Sequence, residues 1–356
     1  MSGNPYESQI PWARTMRRLL VAMSLVLSGI VVQTVQADAG KLVGGKLSEH
    51  PDWFKESFLD IAEDVDEAAA EGRHVMLFMH LNACPYCYKM VEENIKHAPY
   101  TDFIRERFDV IALNIRGDRE VAFNEEITLT EKDLAARLKV VYTPTVVFLD
   151  HANQVVARVN GYRSVQDFRH VLEYVNDRAY LRTTLASYLN ERKQSRYAFR
   201  ENPQLIDVAD LSETGGRPLA VLFEDSDCRD CDALHDGHLQ DPAVREILDG
   251  FLFVRLDALS EAPLRSPTGE MTTPKAFAES LALTYRPGMV LFDNGREIMR
   301  IESLLYRYHF TEILRYVGDG LYQQYPDSFY DYLDVRTAEL LASGQDVNLG
   351  ESEAGR

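Results

Sequence analysis

The chain has 356 residues, 46% of them hydrophobic, which suffices for two domains with cores of their own and is unlike a disordered or collagen-like composition. Its formal net charge of -18 argues against a partner with a phosphate backbone, so no nucleic acid is expected, and it suits neutral or basic partners.

The N-terminal stretch places Arg14, Arg17 and Arg18 before the apolar run LLVAMSLVLSGIVV and then TVQADAG. A basic start, a short apolar core and the small-x-small Val35-Gln36-Ala37 describe a secretory signal over residues 1–37, cut before Asp38. Met16 begins a more compact form of that signal and is a candidate for the true start. An uncleaved anchor is the alternative, although the run falls short of the ~20 residues a span needs. No other segment reads as a span, so the exported chain is expected to be soluble.

Further along, residues 53–70 read as an amphipathic helix, 74–80 as a buried strand, and 87–97 as a helix starting at a cysteine pair. Residues 108–115 read as a strand and 131–138 as a helix. Two strands at 145–149 and 154–159 flank the turn DHANQ, and 164–180 is a closing helix. These elements make a first domain over 48–180. The stretch 181–216 starts helical, turns polar and ends in ETGGRP, whose glycines and proline mark it as a linker. A second domain follows over 217–326. Residues 327–356 hold a helix at 328–342 and a polar tail, SGQDVNLGESEAGR, expected to be disordered.

The two halves repeat one another. HVMLFMHLNACPYCYKM answers to PLAVLFEDSDCRDCDAL, LKVVYTPTVVFLD to LALTYRPGMVLFD, QVVARVNGY to REIMRIESL, and FRHVLEYV to FTEILRYV. Cys84 and Cys228 stand 144 residues apart, and Pro144 and Pro287, like Asp150 and Asp293, stand 143 apart. Shared motifs in one order at a near-constant offset identify a duplicated domain rather than a solenoid, whose units run about 20–50 residues. In each copy the order is helix, strand, helix, strand, helix, strand, strand, helix. That order belongs to the α/β class, a mixed central sheet flanked by helices.

All four cysteines fall into Cys-x-x-Cys pairs, Cys84 with Cys87 and Cys228 with Cys231. A chain this long does not need staples, and a bridge closing so short a loop adds little by the entropic argument, so the pattern points to redox chemistry. Two intervening residues let both sulfurs sit in the first turn of a helix, where free N–H groups stabilise a thiolate on the first. Cys84 is then the nucleophile toward a disulfide and Cys87 the resolving thiol. Thr143-Pro144 and Arg286-Pro287 each precede an apolar strand. With a cis bond, such a proline presents the preceding residue's backbone to an extended substrate. Around the second pair stand Glu224, Asp225, Asp227, Asp230 and Asp232. They disfavour a thiolate, offset in part by Arg229 and by Arg286 if it lies opposite. Cys228 is therefore expected to be the weaker nucleophile. Its domain would relay electrons, hold substrate, or carry a mainly structural disulfide.

A strand, a Cys-x-x-Cys at a helix start and a proline before a later strand resemble the thioredoxin superfamily. Within it, MLFMHLNACPYCYKM and VVYTPTVVFLD with VNGY are similar to the SoxW-type periplasmic thioredoxin-related proteins, closely over about 50–180 and more loosely over 200–325. The resemblance implies two tandem thioredoxin-like domains. It further implies exchange with protein thiols and disulfides in the periplasm, no cofactor beyond redox-active disulfides, and electrons from a membrane shuttle of the DsbD or CcdA type. Ala83 and Pro85-Tyr86 depart from the Trp and Gly-Pro of thioredoxins and are similar to glutaredoxins and some bacterial disulfide isomerases. That dipeptide implies a potential above the roughly −270 mV of thioredoxin. Phe78 replaces the family's buried acid, which leaves His80 as a candidate proton-transfer group or a histidine with no catalytic part. The direction of exchange stays open between reduction, oxidation and isomerisation.

Two readings from other classes compete. His235 and His238 follow the second pair in CRDCDALHDGHL, a conceivable zinc or copper set. The two cysteine pairs are too widely separated for a four-cysteine zinc site, and Cys228 and His235 are two helical turns apart, so no metal is expected. The other rival is a binding module with little turnover, with the Tyr-rich LLYRYHF and LYQQYPDSFYDYL at an interface. Tyrosine at helical spacing is more often core or rim.

Overall fold

The computed structural model describes residues 39–47, 49–192, 197–228 and 230–350. The signal over 1–37, its cut before Asp38 and the offsetting charge of Arg229 lie outside the described residues. Among the described residues no helix is long and apolar enough to cross a membrane. Gly40–Arg356 make one unit, which holds both halves of the repeat.

A short strand, β1 (Leu42–Val43), precedes the first domain. Helix α1 (Ile61–Ala70) starts where the Asp60 side chain accepts the Glu63 N–H. The helix expected over 53–70 is thus only its second half. Ser57 Oγ bonds to Asp64 and accepts the Leu59 N–H, and Leu59 turns through φ +66°, so the approach to the cap is irregular. Next come β2 (His74–His80), α2 (Pro85–Met90) continuing as a π-helix over Val91–Lys96, α3 (Thr101–Arg107) and β3 (Phe108–Asn114). A hairpin of β4 (Glu120–Asn124) and β5 (Ile127–Thr130) leads into α4 (Glu131–Arg137), β6 (Thr145–Leu149), β7 (Val155–Asn160) and α5 (Val165–Asn176). Helix α3 and the hairpin are additions to the sequence reading.

The sheet runs β3-β2-β6-β7, with β2 parallel to β3 and antiparallel to β6. Side-chain alternation divides its core in two. Met76, Phe78, Val110 and Phe148 face α2, α3 and α5, while Val75, Leu77, Met79, Ile111 and Val147 face α1 and α4.

Helix α6 (Leu185–Asn190) begins the connection to the second domain. That domain holds β8 (Leu219–Glu224), α7 (Cys231–Asp236), α8 (Pro242–Leu248), β9 (Leu252–Asp257), β10 (Leu264–Arg265), β11 (Met271–Thr272), α9 (Pro274–Ser280), β12 (Gly288–Asp293), β13 (Arg296–Ile301) and α10 (Arg307–Gly318). Its sheet, β9-β8-β12-β13, repeats the order and directions of the first. Among the described residues the leading helix of the repeat has no equivalent here. In its place Ile206 bridges to Val254, Asp210 bridges to Arg265, and fully buried Leu211 joins the cluster of Val221, Phe223 and Val254. Part of the stretch read as a linker therefore covers one face of the second sheet.

The C-terminal segment corrects the expectation of disorder for the part described. After α11 (Phe329–Ala342), strand β14 (Val347–Asn348) pairs in parallel with β1. Val347 is buried in that contact, which gives the polar tail an apolar anchor.

The domains meet where the end of β7 and the loop after it pack against the loops after β13 and before β12. Buried Arg163 donates to the Asn160 and Glu302 carbonyls and lies 4.8 Å over the Tyr285 ring. Asn160 Nδ2 donates to Glu302 Oε2, and Ser303 Oγ to the Tyr162 carbonyl.

Candidate active site at the cysteine pairs

Cys84 is the N-cap of α2, and its Sγ accepts the Cys87 N–H at 3.1 Å. Pro85 opens the helix, a position where the missing N–H costs nothing. The two cysteines form a disulfide with Cα atoms 5.2 Å apart; Cys84 is 7% exposed and Cys87 fully buried. Thr143-Pro144 is cis, and Thr143 Oγ1 lies 3.4 Å from Cys84 Sγ. The structure thus brings Cys84, Cys87, Thr143 and Pro144 to one place.

The Thr143 backbone is not open to a substrate. Its N–H donates to Tyr330 Oη of α11 at 2.9 Å, and Thr143 Oγ1 lies 3.2 Å from the same hydroxyl. Tyr330 stands where an extended substrate was expected to pair. Tyr86, the second of the two residues between the cysteines, is held in a similar way. Tyr86 Oη accepts the Tyr306 N–H at 2.7 Å and lies 3.1 Å from His309 Nδ1, and its ring stacks on Tyr306 at 4.7 Å. Burial holds the His309 pKa down at about 4, so the ring is neutral at pH 7 and its Nδ1 can accept a hydrogen bond from the Tyr86 hydroxyl. Between α2, α10 and α11 is a cavity of about 640 Å³ lined by Cys84, Thr143, Leu305, Ile313, Leu333 and Leu341 among others.

His80 ends β2, and its ring meets His50 edge-on at 4.5 Å. Burial, then the His50 charge, hold it down at about 4, so near neutral pH it carries no imidazolium proton to donate.

The second pair is built differently. Helix α7 begins at Cys231 with Asp230 as N-cap, so Cys228 lies ahead of the helix rather than in its first turn. This corrects, for the second pair, the expectation that both sulfurs sit in the first turn of a helix. Cys228 and Cys231 form a disulfide, are 2% and 0% exposed, and cluster with buried Tyr197. Arg286-Pro287 is cis, and the buried Arg286 Nε sits 3.0 Å from Asp225 Oδ2. That carboxylate is on the residue whose carbonyl accepts the Cys228 N–H. Burial lowers the Arg286 pKa from its ordinary value, against the pull of Asp225. Tyr285 Oη donates to Asp230 Oδ2 at 2.6 Å. Among the acids near this pair, Asp225 is thus engaged by Arg286, Asp230 by Tyr285, Asp232 by Arg200 Nη1 at 2.8 Å, and Glu224 by two neighbours. Its Oε1 is 2.8 Å from His235 Nε2 and accepts from Tyr197 Oη at 3.2 Å. The histidines of the metal reading are engaged elsewhere, His235 with Glu224 and His238 Nε2 at 2.8 Å from the Leu305 carbonyl.

Tyr330, Tyr306, His309 and Arg163 were missed by sequence reasoning as parts of the site. Three lie in the Tyr-rich segments read as core or rim. The available signal was the repeat itself: α11 starts 144 residues after α6, and each follows a short 3-10 turn, Leu321–Gln323 and Ala179–Leu181.

A family model described as a thioredoxin-like domain matches residues 61–176 and again 207–318. Among solved structures, a thioredoxin-fold protein from Helicobacter pylori is 26% identical over 34% of this chain and 80% of its own, with a TM-score of 0.29. A thioredoxin from Thermus thermophilus is 28% identical over 33% and 83%, with a TM-score of 0.26. A structure described as DsbH oxidoreductase is 17% identical over 47% and 98%, with a TM-score of 0.23. No curated protein sequence matches the chain.

Proposed function

The chain belongs to the thioredoxin-like family in both its halves, and on that premise we propose that it is a thiol–disulfide oxidoreductase whose working pair is Cys84–Cys87. The observation that carries this is the capping geometry: Cys84 Sγ receives the Cys87 N–H at the start of α2, beside Thr143 and at the wall of a cavity. In the reduced protein that N–H and the free N–H groups of the helix start favour a Cys84 thiolate. The thiolate attacks one sulfur of a disulfide, the displaced sulfur leaves as a thiolate and takes a proton, and Cys84 is left in a mixed disulfide. Cys87 then attacks the Cys84 sulfur, releases the second thiol and closes the Cys84–Cys87 bond. Two electrons pass from the protein to the substrate.

The second domain holds the substrate site rather than repeating it. Leu305, His309 and Ile313 wall the cavity, while Cys228 is buried ahead of its helix. In this reading protein thiols return the electrons, from a membrane shuttle of the DsbD or CcdA type. The exchange runs in the periplasm, as the basic-apolar start of the sequence and the likeness to SoxW-type proteins suggest.

Separate Cys84→Ser and Cys228→Ser substitutions test the proposal in a disulfide-reduction assay with dithiothreitol as donor. Cys84→Ser is expected to lose at least about a hundredfold in turnover and Cys228→Ser to keep most of it. Equal losses would remove the division of labour.

A further inference from the structure

The cavity beside Cys84 exists because elements outside the first domain enclose it. Helix α11 supplies Leu333, Ala338 and Leu341, α10 supplies Ile313, and β1 supplies Leu42. Helix α11 is a fixed wall: Phe329, Tyr332 and Leu333 are buried in the core of the second domain, and Tyr332 Oη donates to Glu312 on α10. Its Tyr330 consumes the Thr143 N–H, the donor a strand-like polypeptide would need.

The charges that line the cavity are matched. Arg116 pairs with Asp334 at 2.5 Å and with Asp331 at 3.1 Å, and His309 is neutral at pH 7. Among the described residues of this lining a ligand carrying net charge would find no unpaired counter-charge, and it would give up part of its hydration on entry. The volume of about 640 Å³ falls within the roughly 300–1,000 Å³ of small-molecule sites.

We propose that the Cys84 site takes compact, uncharged, apolar disulfides as small molecules into this cavity, and that Tyr330 sets this specificity by denying the Thr143 backbone to strand-like polypeptides. The proposal rests on the oxidoreductase reading above. One disulfide R–S–S–R enters, two R–SH leave, and the Cys84–Cys87 dithiol becomes the disulfide. A dithiol donor then restores it.

The test uses the full chain, reduced and freed of reductant, with oxidation of the Cys84–Cys87 thiols followed by rapid mixing and thiol labelling. Three oxidants are compared at equal disulfide concentration: the disulfide of N-acetylcysteine methyl ester, which is uncharged, oxidised glutathione, which is anionic, and insulin. The uncharged disulfide is expected to react at least about tenfold faster than either of the others. Ala338→Trp, on an exposed position of α11 that lines the cavity, is expected to slow the uncharged disulfide at least about tenfold and leave insulin unchanged. Tyr330→Gly, which removes both the hydroxyl and the ring from the Thr143 N–H, is expected to quicken insulin at least about tenfold relative to the uncharged disulfide. Insulin or glutathione disulfide reacting as fast as the uncharged compound in the unsubstituted chain would overturn the specificity while leaving the exchange reaction intact. No oxidation of Cys84–Cys87 by any of the three would overturn both.

Discussion

At the residue scale the two first cysteines differ by one hydrogen bond and a few per cent of surface. Cys84 caps a helix and borders a cavity, whereas Cys228 precedes its helix beside Tyr197. His309 adds a pH dependence to the folded protein. Its ring is held at about 4 in the fold against about 6.5 when unfolded, so the unfolded chain binds the extra proton first. Stability from this group is therefore full above pH 6.5 and declines as pH falls from there toward 4, by about 2 kcal/mol between pH 7 and pH 5. His309→Gln keeps a partner for Tyr86 Oη without titrating. Urea unfolding at both pH values is expected to show the variant losing less stability on acidification than the unsubstituted chain; equal losses would exclude the assignment. The cysteines and the prolines were legible because each copy of the repeat displays the other's motif. Tyr330 was not, because its contact with Thr143 joins residues 187 apart and leaves no mark on either local pattern.

At the scale of elements, caps decided where reading succeeded. The end of β2, the strand β6 and helix α5 follow apolar periodicity closely, with Ser164 accepting the Asp167 N–H to start α5. Residues 53–60 share the apolar spacing of α1 but lie ahead of its Asp60 cap, so periodicity alone extended the helix too far. The β4–β5 hairpin escaped notice because its strands are short and half-buried. Helix α7 lacks a side-chain hydrogen bond at its cap and is tied to the sheet by the buried His235–Glu224 contact instead. Replacing Glu224 with Leu would leave His235 and Tyr197 Oη without that partner, and a loss of about 3 kcal/mol in urea unfolding is expected. A change below about 1 kcal/mol would show that α7 is held by packing alone.

At the scale of the whole molecule the duplication reads directly from the offset of 143 to 144 residues, but the way the copies meet does not. Their contact depends on single residues such as Arg163 and Glu302, which have no counterpart of the same type in the other copy. The consequence is functional. One domain carries the sulfur that borders the cavity, the other supplies the wall against it, and helix α11 lines the space between them. The central claim is that Cys84 is the sulfur that attacks. Trapping tests it most directly: a reduced Cys87→Ser chain cannot resolve a mixed disulfide, so treatment with a small uncharged disulfide and peptide mapping by mass spectrometry locates the attacking sulfur. The adduct is expected on Cys84. An adduct on Cys228 alone, or no adduct under conditions that oxidise free cysteine, would contradict the account.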